Sequence, residues 1–325
     1  MLSFSTDDLR PQDRFDHWCE VRGKSLFGVT IELPAGRRND FAGRFAAKNI
    51  GGAIVSDMRA SSYVVSRTPG DIARLSGDSL CIGLQIRGPG WIDTGRSRIH
   101  EVSEGDLIVS HSDQPFQATP IRSDGFDYRT IKIPLGGDVL LGAVADDLSG
   151  APVVAGTPHA RALAAMLNAL ASRPHAPAGA SIDVTHLARL ALVTRDRLKA
   201  GMPEIRAALR AGLLYQAMEM LRLNLHRPDL SPAWFARSLG ISLRQVHVLF
   251  EPTGRTFAET LSAMRIERVC VQLQQNPARG VADIAYSCGF DSMATFYRLF
   301  RRAQGMTPGD LREQSPAPVR SRAMP

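Results

Sequence analysis

Lysine is nearly missing from this chain. Only Lys24, Lys48, Lys132 and Lys199 stand among 39 basic residues, and with 32 acidic residues the formal net charge is +7. The positive charge is therefore arginine, whose planar fork suits bidentate phosphate recognition. Codon bias yields the same preference, so charge alone points only weakly to nucleic acid. Cysteine is as sparse: Cys19, Cys81, Cys270 and Cys288 lie far apart, with no CxxC pair and no Cys/His cluster at metal spacing. That argues against a metal site and leaves the reduced, buried thiols of a cytosolic protein. The N-terminus "MLSFSTDDLRPQDRF" lacks a basic segment followed by an apolar one, as a secretory signal needs. No apolar run approaches the roughly 20 residues of a membrane span. A cytoplasmic protein without a membrane partner is expected. No Ser/His/Asp or Cys/His nucleophile arrangement and no Gly-rich phosphate loop is recognisable, which lowers the expectation of an enzyme, although triads are defined in space rather than in sequence. No cofactor is expected.

What is present is organised in two textures. At 325 residues the chain is long enough for two cores, and 44% hydrophobic residues can fill them. From about Phe27 to Pro134, short β-branched or alternating segments are punctuated by glycine: "FGVTIEL", "GAIVSDM", "SYVVSRT", "LCIGLQIRG", "GWIDTG", "GDLIVSH" and "YRTIKIP". That spacing predicts a sandwich or barrel of short strands. Then the period changes. "HARALAAMLNALASR" (His159 to Arg173) and "DVTHLARLALVTRDRLKA" (Asp183 to Ala200) carry leucine and alanine at helical spacing, separated by the loop-like "PHAPAGAS". These helices either close the core of the β-rich half or pair with a second copy. From Leu213 to Arg312 the pattern is helical throughout, and the tail "SPAPVRSRAMP" is expected to be disordered.

One unit occurs twice in the helical region. Ala236 precedes Gly240 by four, Ser242 follows, and Val246 and Phe250 lie four and eight beyond that serine. Ala285 likewise precedes Gly289, and Ser292 is followed by Phe296 and Phe300 at the same offsets. A small alanine lets two helices approach, glycine leaves the first helix at positive φ, and serine caps the second. The i, i+4 pairs then share a buried face. This is a helix-turn-helix, whose second helix can enter a major groove. Between the two units, "FAETLSAMRIERVCVQLQQ" (Phe257 to Gln275) places Leu261, Ile266, Val269 and Leu273 on one stripe. Such a helix is roughly 28 Å long, against about 34 Å between successive major grooves on one DNA face. A plain helical bundle would use alanine and glycine too, but has no reason to repeat the unit and expose Tyr297, Arg298, Arg301 and Arg302 on its second helix.

The stretches "LSPAWFARSLGISLRQVHVLF", "GRTFAETLSAMRIERV" and "VADIAYSCGFDSMATFYRLFRRAQGMTPGDLR" resemble the DNA-binding domain of the AraC/XylS family of bacterial transcription regulators over about a third of the chain. The resemblance implies base-facing positions at Leu243, Arg244, His247 and Val248 in the first recognition helix. In the second they would be Met293, Ala294, Tyr297 and Arg298. Arginine reads guanine, and Met or Ala can touch a thymine methyl. With several of these positions apolar, readout is expected to rest partly on phosphate contacts and DNA shape. "YVVSRTPGDIARLSGDSLCIGLQIRG" and "VSEGDLIVSHSDQPF" resemble, less specifically, the cupin-like sensor domain that precedes such DNA-binding domains. The alternative is a cupin-type small-molecule-binding protein or metalloenzyme, and since His100 and His111 form no His-x-His pair, its metal-dependent form is the weaker. Trp91, Phe116 and Tyr128 are candidates to line an effector pocket, though such residues are more often simple core.

The expected architecture is thus α+β. A β-barrel sensor (residues 1–150) is followed by a helical dimerisation or linker segment (151–212), a double helix-turn-helix domain (213–313) and a tail (314–325). The resemblance implies a homodimer that binds double-stranded promoter DNA, answers to a small-molecule effector and activates by recruiting RNA polymerase.

Overall fold

The computed structural model describes residues 2–33, 35–95, 98–173 and 179–314. The tail "SPAPVRSRAMP" and most of the loop "PHAPAGAS" lie outside the described residues. The chain divides into two compact units after Gln216.

In the first unit the strands run β1 (Leu2–Ser5), β2 (Thr30–Glu32), β3 (Gly43–Ile50), β4 (Ala53–Ala60), β5 (Val64–Arg67), β6 (Ser79–Arg87), β7 (Gly90–Asp93), β8 (Ile99–Val102), β9 (Leu107–His111), β10 (Phe116–Pro120), β11 (Phe126–Pro134) and β12 (Ala151–Pro152). The helices are α1 (Pro11–Trp18), which continues as a π-helical stretch Cys19–Phe27, then α2 (Pro69–Arg74), α3 (Gly137–Leu140), α4 (Pro158–Ser172) and α5 (Ala180–Thr194). The strands form two antiparallel sheets, one ordered β1-β3-β4-β11-β6-β9-β12 and the other β2-β5-β10-β7-β8. The expected barrel is thus a pair of sheets, with no closed hydrogen-bonded cylinder among the described residues. Each of the seven predicted segments contributes a strand. The strand β3, "GRFAAKNI", lacks the β-branched alternation that marks the others and exists through its full-length antiparallel pairing with β4.

Both faces of the seven-stranded sheet are covered. On one face Val55, Leu80, Ile82, Leu84, Val109, Ile131 and Ile133 join Leu163, Met166, Leu167 and Leu170 of α4 and Val184, Leu187 and Leu190 of α5 in one core. The two helices therefore close the sheet, the first of the two roles open to them. Thr157 starts α4 by accepting from the Ala160 N–H at 3.1 Å. Arg67, the last residue of β5, is buried and fully engaged. Its Nε donates to the Ser112 carbonyl at 2.6 Å, Nη1 to those of Phe27 and Gly28 at 2.9 and 2.7 Å, and Nη2 to the Leu75 carbonyl and the Asp113 carboxylate at 2.7 and 3.0 Å. Burial alone would raise the Asp113 pKa. The donors Ser76 Oγ–H and the Asp78 and Gly77 N–H groups, with Arg67, outweigh it and hold the carboxyl far below the usual range.

The helix α6 (Pro203–Asn224) contains the division point, and the second unit then runs α7 (Pro232–Leu239), α8 (Leu243–Phe250), α9 (Phe257–Gln275), α10 (Val281–Ser287), α11 (Met293–Gln304) and α12 (Pro308–Gln314). The expected caps are in place: the Ser242 hydroxyl accepts from the Gln245 N–H at 3.2 Å and that of Ser292 from the Thr295 N–H at 3.3 Å. Gly240 and Gly289 leave their helices at φ +68° and +88°. Val246, Phe250, Phe296 and Phe300 are all fully buried, as are Ile266, Val269 and Leu273 on the linking helix α9, with Leu261 nearly so. The two alanines differ, since Ala285 is fully buried while Ala236 is only half-buried.

Two stability effects follow. Replacing Phe296, which touches Phe290 and Phe300 at centroid distances of 5.1 and 5.6 Å, by alanine is expected to cost about 3–5 kcal/mol in urea unfolding. A wild-type melting curve would show that this face of α11 is not core. The two glycines are expected to differ in the same assay. Gly240→Ala meets open space and carries only the left-handed strain, roughly 1–2 kcal/mol. At Gly289 a Cβ would lie 2.2 Å from the Leu225 carbonyl oxygen, so Gly289→Ala should cost a further 1–3 kcal/mol or so through overpacking. Equal destabilisation would contradict that crowding.

Candidate DNA interface and candidate effector pocket

In the second unit, each serine cap sets a short second helix on its buried pair, and the opposite face of each is solvent. On α8, Leu243, Arg244, His247 and Val248 are all exposed, Leu243 by 50%. On α11, Ala294, Tyr297, Arg298, Arg301 and Arg302 are exposed, whereas Met293 is half-buried against the core of Ile284, Phe296 and Phe300. The structure therefore gathers nine of the ten positions onto the free faces of the two helices and withdraws Met293 towards the interior.

The arginines of this unit separate by task. Arg222 pairs with Glu219 at 2.7 Å, and Arg227 with Asp229 at 2.8 Å. Arg265 is buried, and its Nε donates to the Leu225 carbonyl at 3.2 Å. In contrast, among the described residues no carboxylate comes within ion-pair distance of Arg244, Arg298, Arg301 or Arg302. Arg301 and Arg302 occupy the last turn of α11, where a cation also complements the helix dipole. Arg298 stands mid-helix, where that explanation does not reach.

In the first unit, a cavity of about 210 Å³ opens between the two sheets, many times the roughly 10–15 Å³ that one water needs. Alternation builds it. Along β11, Ile131 and Ile133 face the helices, while Phe126, Tyr128, Thr130 and Lys132 face the cavity. Trp91 of β7 and Phe116 of β10 line it from the five-stranded sheet, so Trp91, Phe116 and Tyr128 are brought together. Trp91 remains 43% exposed. Gly83 on the neighbouring strand makes room for Tyr128, because a Cβ there would sit 1.6 Å from the tyrosine oxygen. Burial pushes the Tyr128 hydroxyl well above its ordinary pKa, so it stays protonated.

Polar lining residues that the sequence did not single out include Arg22, Gln85 and Lys132. Lys132 was accessible in principle, since stepping by two from Tyr128 along β11 leads to it. Arg22 was not, because it lies on the π-helical stretch after α1, where neither period applies. His111 also lines the cavity, but its Nδ1 accepts the Asp113 N–H at 3.1 Å and its Nε2 faces Asp78 Oδ1 at 3.2 Å. That places its proton on Nε2 and makes it part of the loop scaffold. Among the described residues no group of three or more His, Cys, Asp or Glu side chains is placed to hold a metal.

Comparison with known proteins bears on both units. Residues 72–190 match the AraC-like ligand binding domain, and residues 235–314 match a helix-turn-helix domain. The transcriptional activator NphR of a Rhodococcus species is 26% identical over 327 residues, covering 97% of this chain and 93% of its own. The HTH-type transcriptional regulator GlxA of Rhizobium meliloti is 36% identical over 103 residues, about a third of each protein. The crystal structure of the AraC-like transcriptional activator CuxR aligns at a TM-score of 0.43 and 21% identity over 88% of this chain and 99% of that one. With a ligand-binding domain of the AraC type ahead of a helix-turn-helix domain, the chain belongs to the AraC/XylS family of transcription regulators.

Proposed function

We propose that the chain is an effector-controlled transcriptional activator that works in the cytoplasm as a homodimer. The 213–313 region binds promoter DNA, region 1–150 senses the effector, and the intervening 151–212 supports pairing. The observation that carries the reading is the pair of capped helices, each presenting a solvent face of base- and phosphate-reading residues. Leu243, Arg244, His247 and Val248 read one major groove, and Ala294, Tyr297 and Arg298 the next. Arg301 and Arg302 add phosphate contacts, and Met293 contributes only its exposed edge. Activation is supported by the similarity to NphR, a transcriptional activator, and we take it to proceed by recruitment of RNA polymerase. Trp91, Phe116 and Tyr128 supply the apolar walls of the effector site.

Arg298→Ala should weaken specific binding by about 1–3 kcal/mol and relax preference at one base pair, since that is the usual worth of a bidentate base contact. Equal loss on every sequence, in a salt-controlled binding assay, would reassign Arg298 to phosphate.

Pairing is the second testable part. The segment His159 to Ala200 spends most of its leucines on the sheet, but Ile182 remains 60% exposed. A second copy pairing there would tether two DNA-binding units and make the second contact intramolecular. A fragment from Ala208 to Glu313 should therefore bind the same promoter more weakly than the full chain. Equal affinity with a monomeric full-length protein would remove the dimer and leave the DNA-binding reading intact.

A further inference from the structure

We propose that the cavity between the two sheets binds a small organic carboxylate, gripped by the guanidinium of Arg22 with its apolar body against Trp91, Phe116 and Tyr128. This deepens, and rests on, the reading of that cavity as the effector site. Arg22 is only 7% exposed, and it reaches the cavity from the stretch Cys19–Phe27. Its Nη2 meets only the Met58 sulfur, at 3.5 Å, and a thioether is a weak acceptor. Its Nε and Nη1 are buried with no acceptor among the described residues. The rings of Phe27 and Tyr63 lie 5.0 and 5.7 Å from its Cζ, which favours the charge but accepts none of these N–H groups.

Arg67, which lines the same cavity, provides the internal contrast. Where the fold uses a buried guanidinium as scaffold, it supplies four carbonyls and a carboxylate. For Arg22 it supplies neither. Arginine cannot shed its proton in a protein, so a buried fork with unmet donors is suited to an anion brought from outside. A carboxylate offers two oxygens to such a fork. The rest of the lining agrees, because among the described residues it contains no aspartate or glutamate, while Lys132 adds a cation beyond Arg22 and the fully engaged Arg67. Lys132 lies four residues along β11 from Tyr128, about 13 Å away, whereas Tyr128 is paired directly opposite Met58, the residue that Arg22 touches. The anion is thus placed at the Arg22 end.

The test is titration calorimetry on the full-length chain with benzoate, phenylacetate and cyclohexanecarboxylate, each against its neutral amide. At least one acid should bind, and its amide should bind far more weakly. Arg22→Met should raise the Kd of that acid by about ten- to a hundredfold, the range for losing hydrogen bonds to a charged group. Arg22→Lys, which keeps the charge without the fork, should fall between, and it serves alone if the methionine variant fails a thermal melt. Lys132→Met removes the same charge from the same cavity and should have the smaller effect. Acid binding that survives Arg22→Met, or that is lost with Lys132→Met instead, overturns the assignment. Amides that bind as tightly as acids, with both weakened by Trp91→Ala, overturn the carboxylate while leaving the effector site in place. No binding of either class overturns both.

Discussion

The seven-stranded sheet of the first unit is covered on both faces, and the pocket is a consequence of that double burial. A pleated strand sends alternate side chains to opposite sides. On β11 this assigns Ile131 and Ile133 to the helix-covered core and Phe126, Tyr128, Thr130 and Lys132 to the space between the sheets. A register slip of one residue would bury the Lys132 ammonium under α4 and α5 and put isoleucines in the cavity. The aliphatic core on one face therefore holds the polar and aromatic lining on the other in register. The helices α4 and α5, which read as a candidate dimer element, are first of all the lid that makes this alternation matter.

Arginine does four different jobs in this chain, and its surroundings distinguish them. Arg67 is a buried rivet with every donor met, and Arg265 a buried donor to backbone carbonyls. Arg222 and Arg227 are surface ion pairs, worth little individually. Arg298, Arg301 and Arg302 are exposed with no acid in ion-pair reach among the described residues, as suits contact with a polyanion. Among the described residues, Arg22 alone of the buried arginines has unmet donors, a costly state unless something pairs with it. A composition that is rich in arginine says nothing about this division.

The two helix-turn-helix units share their grammar but not their packing. Both use a glycine in the left-handed region, a serine cap and a buried i, i+4 pair. In the second unit of the pair, Ala285 is fully buried and Gly289 lies hard against the Leu225 carbonyl. In the first, Ala236 is half-buried and Gly240 faces open space. The same letters thus mark a crowded joint in one place and a looser one in the other. The exposed faces differ as well: α8 offers Leu243 and Val248 beside Arg244 and His247, and α11 offers Tyr297 with three arginines.

The sequence by itself determined what depends on neighbours within a few residues. The caps at Ser242 and Ser292, the turns at Gly240 and Gly289, the span of α9 and seven of the strands follow from local periodicity and backbone preference. The exposed faces of α8 and α11 followed too, because a 3.6-residue period leaves only one face for solvent once the buried pair is known. The strand β3 did not, since its residues have little strand preference and long-range pairing with β4 imposes its form. Nor did the half-burial of Met293, which depends on what packs under the first turn of α11. The cavity is the clearest case. Trp91, Phe116 and Tyr128 were plausible separately, but Arg22 joins them only because α1 and its π-helical continuation bring residue 22 beside Met58, thirty-six positions later in the chain. No local pattern encodes that meeting. It arises from the packing of this stretch against the sheet, and only that packing leaves the Nε and Nη1 donors of Arg22 buried and unmet.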